Sequence, residues 1–135
     1  MSLIKLIPPW LHGVADYSSG ALLVVVSLLV DGTGVAKALG IGVGLTILLL
    51  SVFTRYRLGF VRVVPFKIHA VGDYAAAALL LLGPLVAMIT DTDRGLTYLF
   101  WGVGAALFAG SLLTNYDTAD RELSDKERPL STTRR

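Results

Sequence analysis

Residues 38–54 read ALGIGVGLTILLLSVFT, 17 positions without one charged side chain. At a rise of 1.5 Å per residue an α-helix of that length covers about 25 Å, most of a hydrocarbon core roughly 30 Å thick. The same property recurs at residues 17–30, 74–90 and 95–116. A chain of 135 residues with 54% hydrophobic and only 16% charged side chains cannot coat a water-facing surface, since ordinary domains carry about 25% charge. The sequence therefore predicts an all-α integral membrane protein. Four transmembrane helices are expected, at about 10–30, 35–54, 66–89 and 96–116.

Punctuation between these runs fits that division. Pro8 and Pro9 precede the first span, where proline does least harm to a helix. Asp31, Gly32 and Gly34 form one turn, and Asp91, Asp93 and Gly95 another. Pro8, Pro9, His12 and Asp16 interrupt the N-terminal apolar stretch and no Ala-x-Ala site follows, which predicts a retained first helix rather than a cleaved signal. Tyr98 and Trp101 fall where an aromatic belt is expected. Beyond residue 116 the chain becomes polar and charged, so residues 117–135 are expected to be a disordered tail. The absence of cysteine excludes disulfides, thiolate metal sites and a cysteine nucleophile.

Lys5, the central Arg55, Arg57, Arg62 and Lys67, and five basic residues of the tail lie on one side of the predicted membrane. Only Lys37 and Arg94 lie on the other. The positive-inside rule then places both termini in the cytoplasm of a multi-pass inner-membrane protein. The net charge of +2 sits beside membrane spans, so anionic headgroups at Arg55, Arg57, Arg62 and Lys67 are the expected partners rather than nucleic acid. Assembly into a homo-oligomer stays open.

The two halves repeat. His12-Gly-Val-Ala-Asp16-Tyr17 matches His69-Ala-Val-Gly-Asp73-Tyr74 at an offset of 57 residues, each block following a proline. Gly42-Val43-Gly44 matches Gly102-Val103-Gly104, and Ser51, Thr54 and Tyr56 match Ser111, Thr114 and Tyr116, at an offset of 60. Residues 1–64 and 65–116 thus form two repeats, each a pair of spans. An even number of spans makes the copies parallel, as two pseudo-symmetric helical hairpins. Gly40 with Gly44, and Gly102 with Ala106 and Gly110, are spaced for close helix contacts.

These openings, the Ser-x-x-Thr-x-Tyr span ends and the Arg-rich loop leading to Pro65 resemble the SPW-repeat family of small bacterial membrane proteins, over residues 8–116. Val26-Ser27-Leu28 and Gly83-Pro84-Leu85 stand where the tripeptide Ser-Pro-Trp is expected. The resemblance implies an architecture of paired helices and no particular activity.

An ionisable side chain at membrane depth is costly and needs a partner. His12 and Asp16, like His69 and Asp73, share a helix face at a spacing of four. Tyr17, Tyr74, Ser51, Thr54, Ser111 and Thr114 are the expected supporting polar network. Three readings compete for these residues in a small binding or scaffold protein or its alternatives. The aspartates and histidines could serve as interhelical glue. They could instead converge as a two-nitrogen, two-oxygen site for zinc or another divalent metal, a ligand set that resembles that of the cation-diffusion-facilitator zinc transporters. They could also relay protons or cations in a transporter, although only Ser27, Thr46 and turn aspartates offer a path through the other leaflet. A lipid hydrolase using Ser18, Ser19 or Ser51 is disfavoured, because no Gly-x-Ser-x-Gly elbow is present and Ala75 and Ala76 replace two of these serines in the second repeat.

Overall fold

The computed structural model describes residues 4–119 and Leu123. Among these, four helices run in the order α1 (Pro9–Leu29), α2 (Gly34–Phe53), α3 (Phe66–Val86) and α4 (Arg94–Leu113). Each has 20 or 21 residues and a mean hydropathy between 1.4 and 2.1, which is about 30 Å of apolar helix. Leu22, Val25, Leu49, Val71, Leu82 and Val86 all point outward. In water such a belt would be an association surface, whereas against lipid tails it needs no partner.

The third helix stops earlier than its hydropathy implies. Pro84 lies inside α3 and the helix runs past it to Val86, the missing N–H costing only the bond to the Leu80 carbonyl. The chain turns at Met88, whose φ is 54°, and the amide of Ile89 returns to the Pro84 carbonyl. Residues 87–89 therefore belong to the turn.

The helices pair as two hairpins, α1 with α2 and α3 with α4, and the hairpins meet through α2 with α3 and α1 with α4. In the first hairpin a Cβ on Gly20 would lie 2.9 Å from the Gly44 carbonyl, and one on Gly44 would lie 2.8 Å from the Gly20 carbonyl. Gly40 likewise makes room for Ser27. The expected contact face of α4 is corrected: a Cβ at Gly102 or Gly110 meets nothing within 4 Å, and Ala106 is exposed. Val103, Gly104, Leu107 and Ser111 face inward instead, because the 102/106/110 row lies about a third of a turn away around a 3.6-residue helix.

One half of the bundle is dry. Leu23, Val43, Ile47, Leu80, Leu96, Phe100 and Leu107 form a continuous apolar core. At the end where the hairpin turns lie, Asp93 clamps the two turns together. Its carboxylate accepts from the Thr33 amide and hydroxyl, each at 2.8 Å. The Thr33 hydroxyl also accepts from the Ala36 amide and so caps α2.

These bonds, the Thr33 amide foremost, hold the Asp93 carboxyl below its ordinary range. A depressed folded value means that the clamp stabilises above the unfolded pKa of about 4 and is lost as pH falls through the folded value. Thermal unfolding of wild type should therefore weaken below about pH 4 more than that of Asp93→Asn. Parallel pH profiles for the two proteins would remove this role from Asp93.

At the opposite end, short extended segments brace the helix exits. Ile7 bridges Thr114, and Val64 bridges Thr54, both in parallel sense. The segment entering α1 is thus fastened to the exit of α4, and the segment entering α3 to the exit of α2. The Asn115 amide donates to the Ile7 carbonyl at 2.9 Å, and the Arg55 amide to the Val64 carbonyl at 2.8 Å. The two braces obey the same pseudo-twofold relation as the helices.

Of the predicted tail, Asp117–Ala119 and Leu123 are described, and Ala119 packs against aromatic rings. The remainder of the expected disordered tail lies outside the described residues.

Candidate functional site

His12 and His69 close the first turns of α1 and α3, with amides that donate to the carbonyls of Pro8 and Pro65. One turn further on, Asp16 and Asp73 point the same way. The braces then bring Thr54 and Thr114 alongside. As a result the two His/Asp pairs form one site on the pseudo-twofold axis between the hairpins.

Its contacts cross that axis. His12 Nε2 lies 2.9 Å from Asp73 Oδ2, and His69 Nε2 lies 2.9 Å from Asp16 Oδ2. Within each helix the corresponding separations are 3.4 Å for His12 to Asp16 and 3.3 Å for His69 to Asp73. One donor atom from each residue lies within 4.8 Å of all the others. All four side chains are buried, with at most 3% exposed.

Hydrogen-bond bookkeeping fixes the histidine tautomers. Thr54 Oγ1 lies 2.6 Å from the Leu50 carbonyl and 2.8 Å from His69 Nδ1. Thr114 Oγ1 lies 2.7 Å from the Gly110 carbonyl and 2.8 Å from His12 Nδ1. A threonine hydroxyl has one proton, and a carbonyl can only accept. Each hydroxyl therefore donates to its own helix and accepts from Nδ1–H. The neutral imidazoles must then direct bare Nε2 lone pairs at carboxylate oxygens, which requires a cation between them: a proton shared by each Nε2 and its carboxylate, or a metal ion.

Two observations bear on that choice. Asp16 Oδ1 and Asp73 Oδ1 are buried without a hydrogen-bond partner, which leaves each carboxylate an oxygen that the histidines do not satisfy. The four His–Asp contacts of 2.9–3.4 Å lie near the ligand-to-ligand separation of about 3.3 Å around a tetrahedral ion with bonds near 2.0 Å, while the donor set as a whole spans up to 4.8 Å, so holding such an ion requires the remaining pairs to close in. The donor set fits a divalent ion, and two carboxylates cancel its charge inside the membrane.

Ser51 Oγ approaches Asp16 Oδ2 at 3.3 Å, and Ser111 Oγ approaches Asp73 Oδ2 at 3.5 Å. Tyr17 lies elsewhere, its hydroxyl donating to the Leu58 carbonyl at 3.1 Å. Tyr74 turns its ring to Phe108. Ser18, weighed as a nucleophile, donates to its own helix at Val14 and is exposed.

Tyr56 and Tyr116, the last members of the two Ser-x-x-Thr-x-Tyr repeats, cover the site together with Phe66. The Phe66 ring centroid lies 5.8 Å from that of His12 and 5.5 Å from that of His69. Tyr56 stacks on Phe66 at 5.4 Å, and Tyr116 meets it at 4.8 Å. Burial pushes both phenols well above their ordinary range, so they stay neutral. The pseudo-symmetry gave a signal for the two tyrosines. It gave none for Phe66, whose counterpart is Pro9: one ring on the axis serves both halves.

No protein-family profile, curated protein or solved structure matches this chain. Among the described residues, the molecule has four apolar helices of membrane-spanning length and one buried His/Asp cluster able to hold a metal ion.

Proposed function

We propose that the protein is a small membrane scaffold in which His12, Asp16, His69 and Asp73 hold one divalent metal ion and so fasten the two hairpins together. The observation that carries this reading is the threonine-fixed tautomer, which leaves both Nε2 lone pairs pointing at the aspartates. Two imidazoles and two carboxylates suit zinc among the divalent ions, whereas calcium and magnesium favour all-oxygen sites. Four protein ligands with no open position are the pattern of a structural rather than a catalytic centre. The apolar core beyond the site weighs against a conduction path through one chain.

The same proposal places the site end in the cytoplasm of an inner membrane. Its support is the charge asymmetry, with Lys5, Arg55, Arg57, Arg62 and Lys67 at that end and Lys37 and Arg94 at the other. Kinship with the SPW-repeat proteins belongs to this reading too, and rests on the paired His-x-x-x-Asp-Tyr openings.

Metal analysis of protein purified without chelator should find about one divalent ion per chain. Thr54→Val and Thr114→Val keep the shape but remove the oxygen that fixes each imidazole. Each should weaken zinc binding roughly 10–100-fold, as loss of such outer partners does elsewhere. If wild type binds neither zinc nor another first-row divalent ion in a competition titration, the metal reading is lost.

A further inference from the structure

Beside the aromatic cover, two adjoining cavities open at the same end of the bundle. One, of about 270 Å³, is lined by Lys5, Lys67, Ala70, Val71, Tyr74 and Asp117, with Tyr116 as shared wall. The other, of about 230 Å³, brings in Arg55, Pro65 and Phe66 and shares Lys67, Tyr116 and Asp117. Lys5 and Lys67 both pair with Asp117, the second at 3.6 Å. Two lysines thus meet one carboxylate, and Arg55 adds a third positive charge to the lining of the second cavity. Their side chains remain accessible: Lys5 is 54% exposed and Lys67 74%.

We propose that these cavities form a binding site for the headgroup of an anionic phospholipid, independent of the metal centre. Lys5, Lys67 and Arg55 face the phosphate, and the excess positive charge selects an anionic headgroup over a zwitterionic one. Ala70 and Val71 continue the wall of the larger cavity along α3, and Val71 is 68% exposed on the face that meets lipid. An acyl chain therefore leaves the cavity directly into the bilayer, which a soluble phosphate compound would have no use for. The basic residues expected at the interface separate into two groups. Arg55 and Lys67 line the cavities, joined by Lys5, while Arg57 is exposed outside them and Arg62 donates to the Gly59 carbonyl.

Native mass spectrometry of the full chain, released from micelles doped with phosphatidylglycerol or phosphatidylcholine, tests the assignment. Wild type should retain one phosphatidylglycerol in preference to phosphatidylcholine. Lys5→Gln and Lys67→Gln should each cut that retention about fivefold, Lys67→Arg should restore it, and Arg57→Gln should leave it unchanged. Equal retention of the two lipids by wild type overturns the site. So does an Arg57→Gln loss as large as that of Lys67→Gln, which would reduce the effect to general surface charge. Binding of inorganic phosphate that depends on Lys5 and Lys67, without retention of phosphatidylglycerol, makes a soluble phosphate the occupant and overturns the lipid. The substituted side chains are exposed, and an unchanged melting temperature verifies that each variant is folded.

Discussion

His12→Ala is expected to strip the protein of its metal and to lower its stability by several kcal/mol. The substitution removes one of four converging ligands and leaves Asp73 Oδ2 without its 2.9 Å partner in a site that water does not reach. Breaking a buried charge set by removing one partner costs about 3–5 kcal/mol, so zinc affinity should fall by at least about a hundredfold. His69→Ala should behave alike, because it stands in the equivalent place against Asp16. Metal content by elemental analysis and thermal melting with and without added zinc read the two consequences separately. A His12→Ala protein that keeps both its metal and its melting temperature would refute the site. If stripping metal leaves the wild-type melting temperature unchanged while His12→Ala still lowers it, the site is a double ion pair with no metal.

The second large effect is expected at a residue that touches no ligand. A Cβ on Gly59 would lie 1.8 Å from the Thr54 carbonyl oxygen, and the obstacle is backbone rather than a movable side chain. Gly59→Ala must therefore push apart the turn that follows α2. Overpacking of this kind costs about 1–3 kcal/mol. The strain falls on Thr54, whose hydroxyl orients His69. Zinc affinity should consequently drop along with stability, although the substitution lies outside the site. A melting temperature within about 1 °C of wild type, where 1 kcal/mol corresponds to several degrees in a domain this small, would show that the turn yields without cost.

The membrane fold was legible because hydropathy is additive along the chain. Four uncharged runs of the right length leave few alternatives, and the helix starts at Pro9 and Phe66 follow the prolines before them. The repeat was legible in the same way, and it identified the four ionisable residues that now share one centre. Rotational phase was harder. Glycine spacing on α4 suggested a contact face at 102, 106 and 110, but the spacing is equally good on an outward stripe, and only packing shows that Gly104 is the close-contact residue. Tyr17 and Tyr74, being adjacent to the aspartates in sequence, point about 100° away from them around the helix. Tyr56 and Tyr116, far away in sequence, come back over the site through the braces. Asp93 resembled an ordinary turn residue because its partner, Thr33, lies in the other hairpin.

The two braces give the molecule the connectivity of a symmetric pair of subunits. His12 touches Asp73 while His69 touches Asp16, and Ile7 bridges Thr114 while Val64 bridges Thr54. Such reciprocal contacts define an isologous interface. Here the interface lies inside one polypeptide, with the loop after α2 serving as a covalent tether. The tether frees the halves to diverge, and they have done so at the axis itself: a single Phe66 covers both histidines, a position that two identical subunits could fill only with two rings or none.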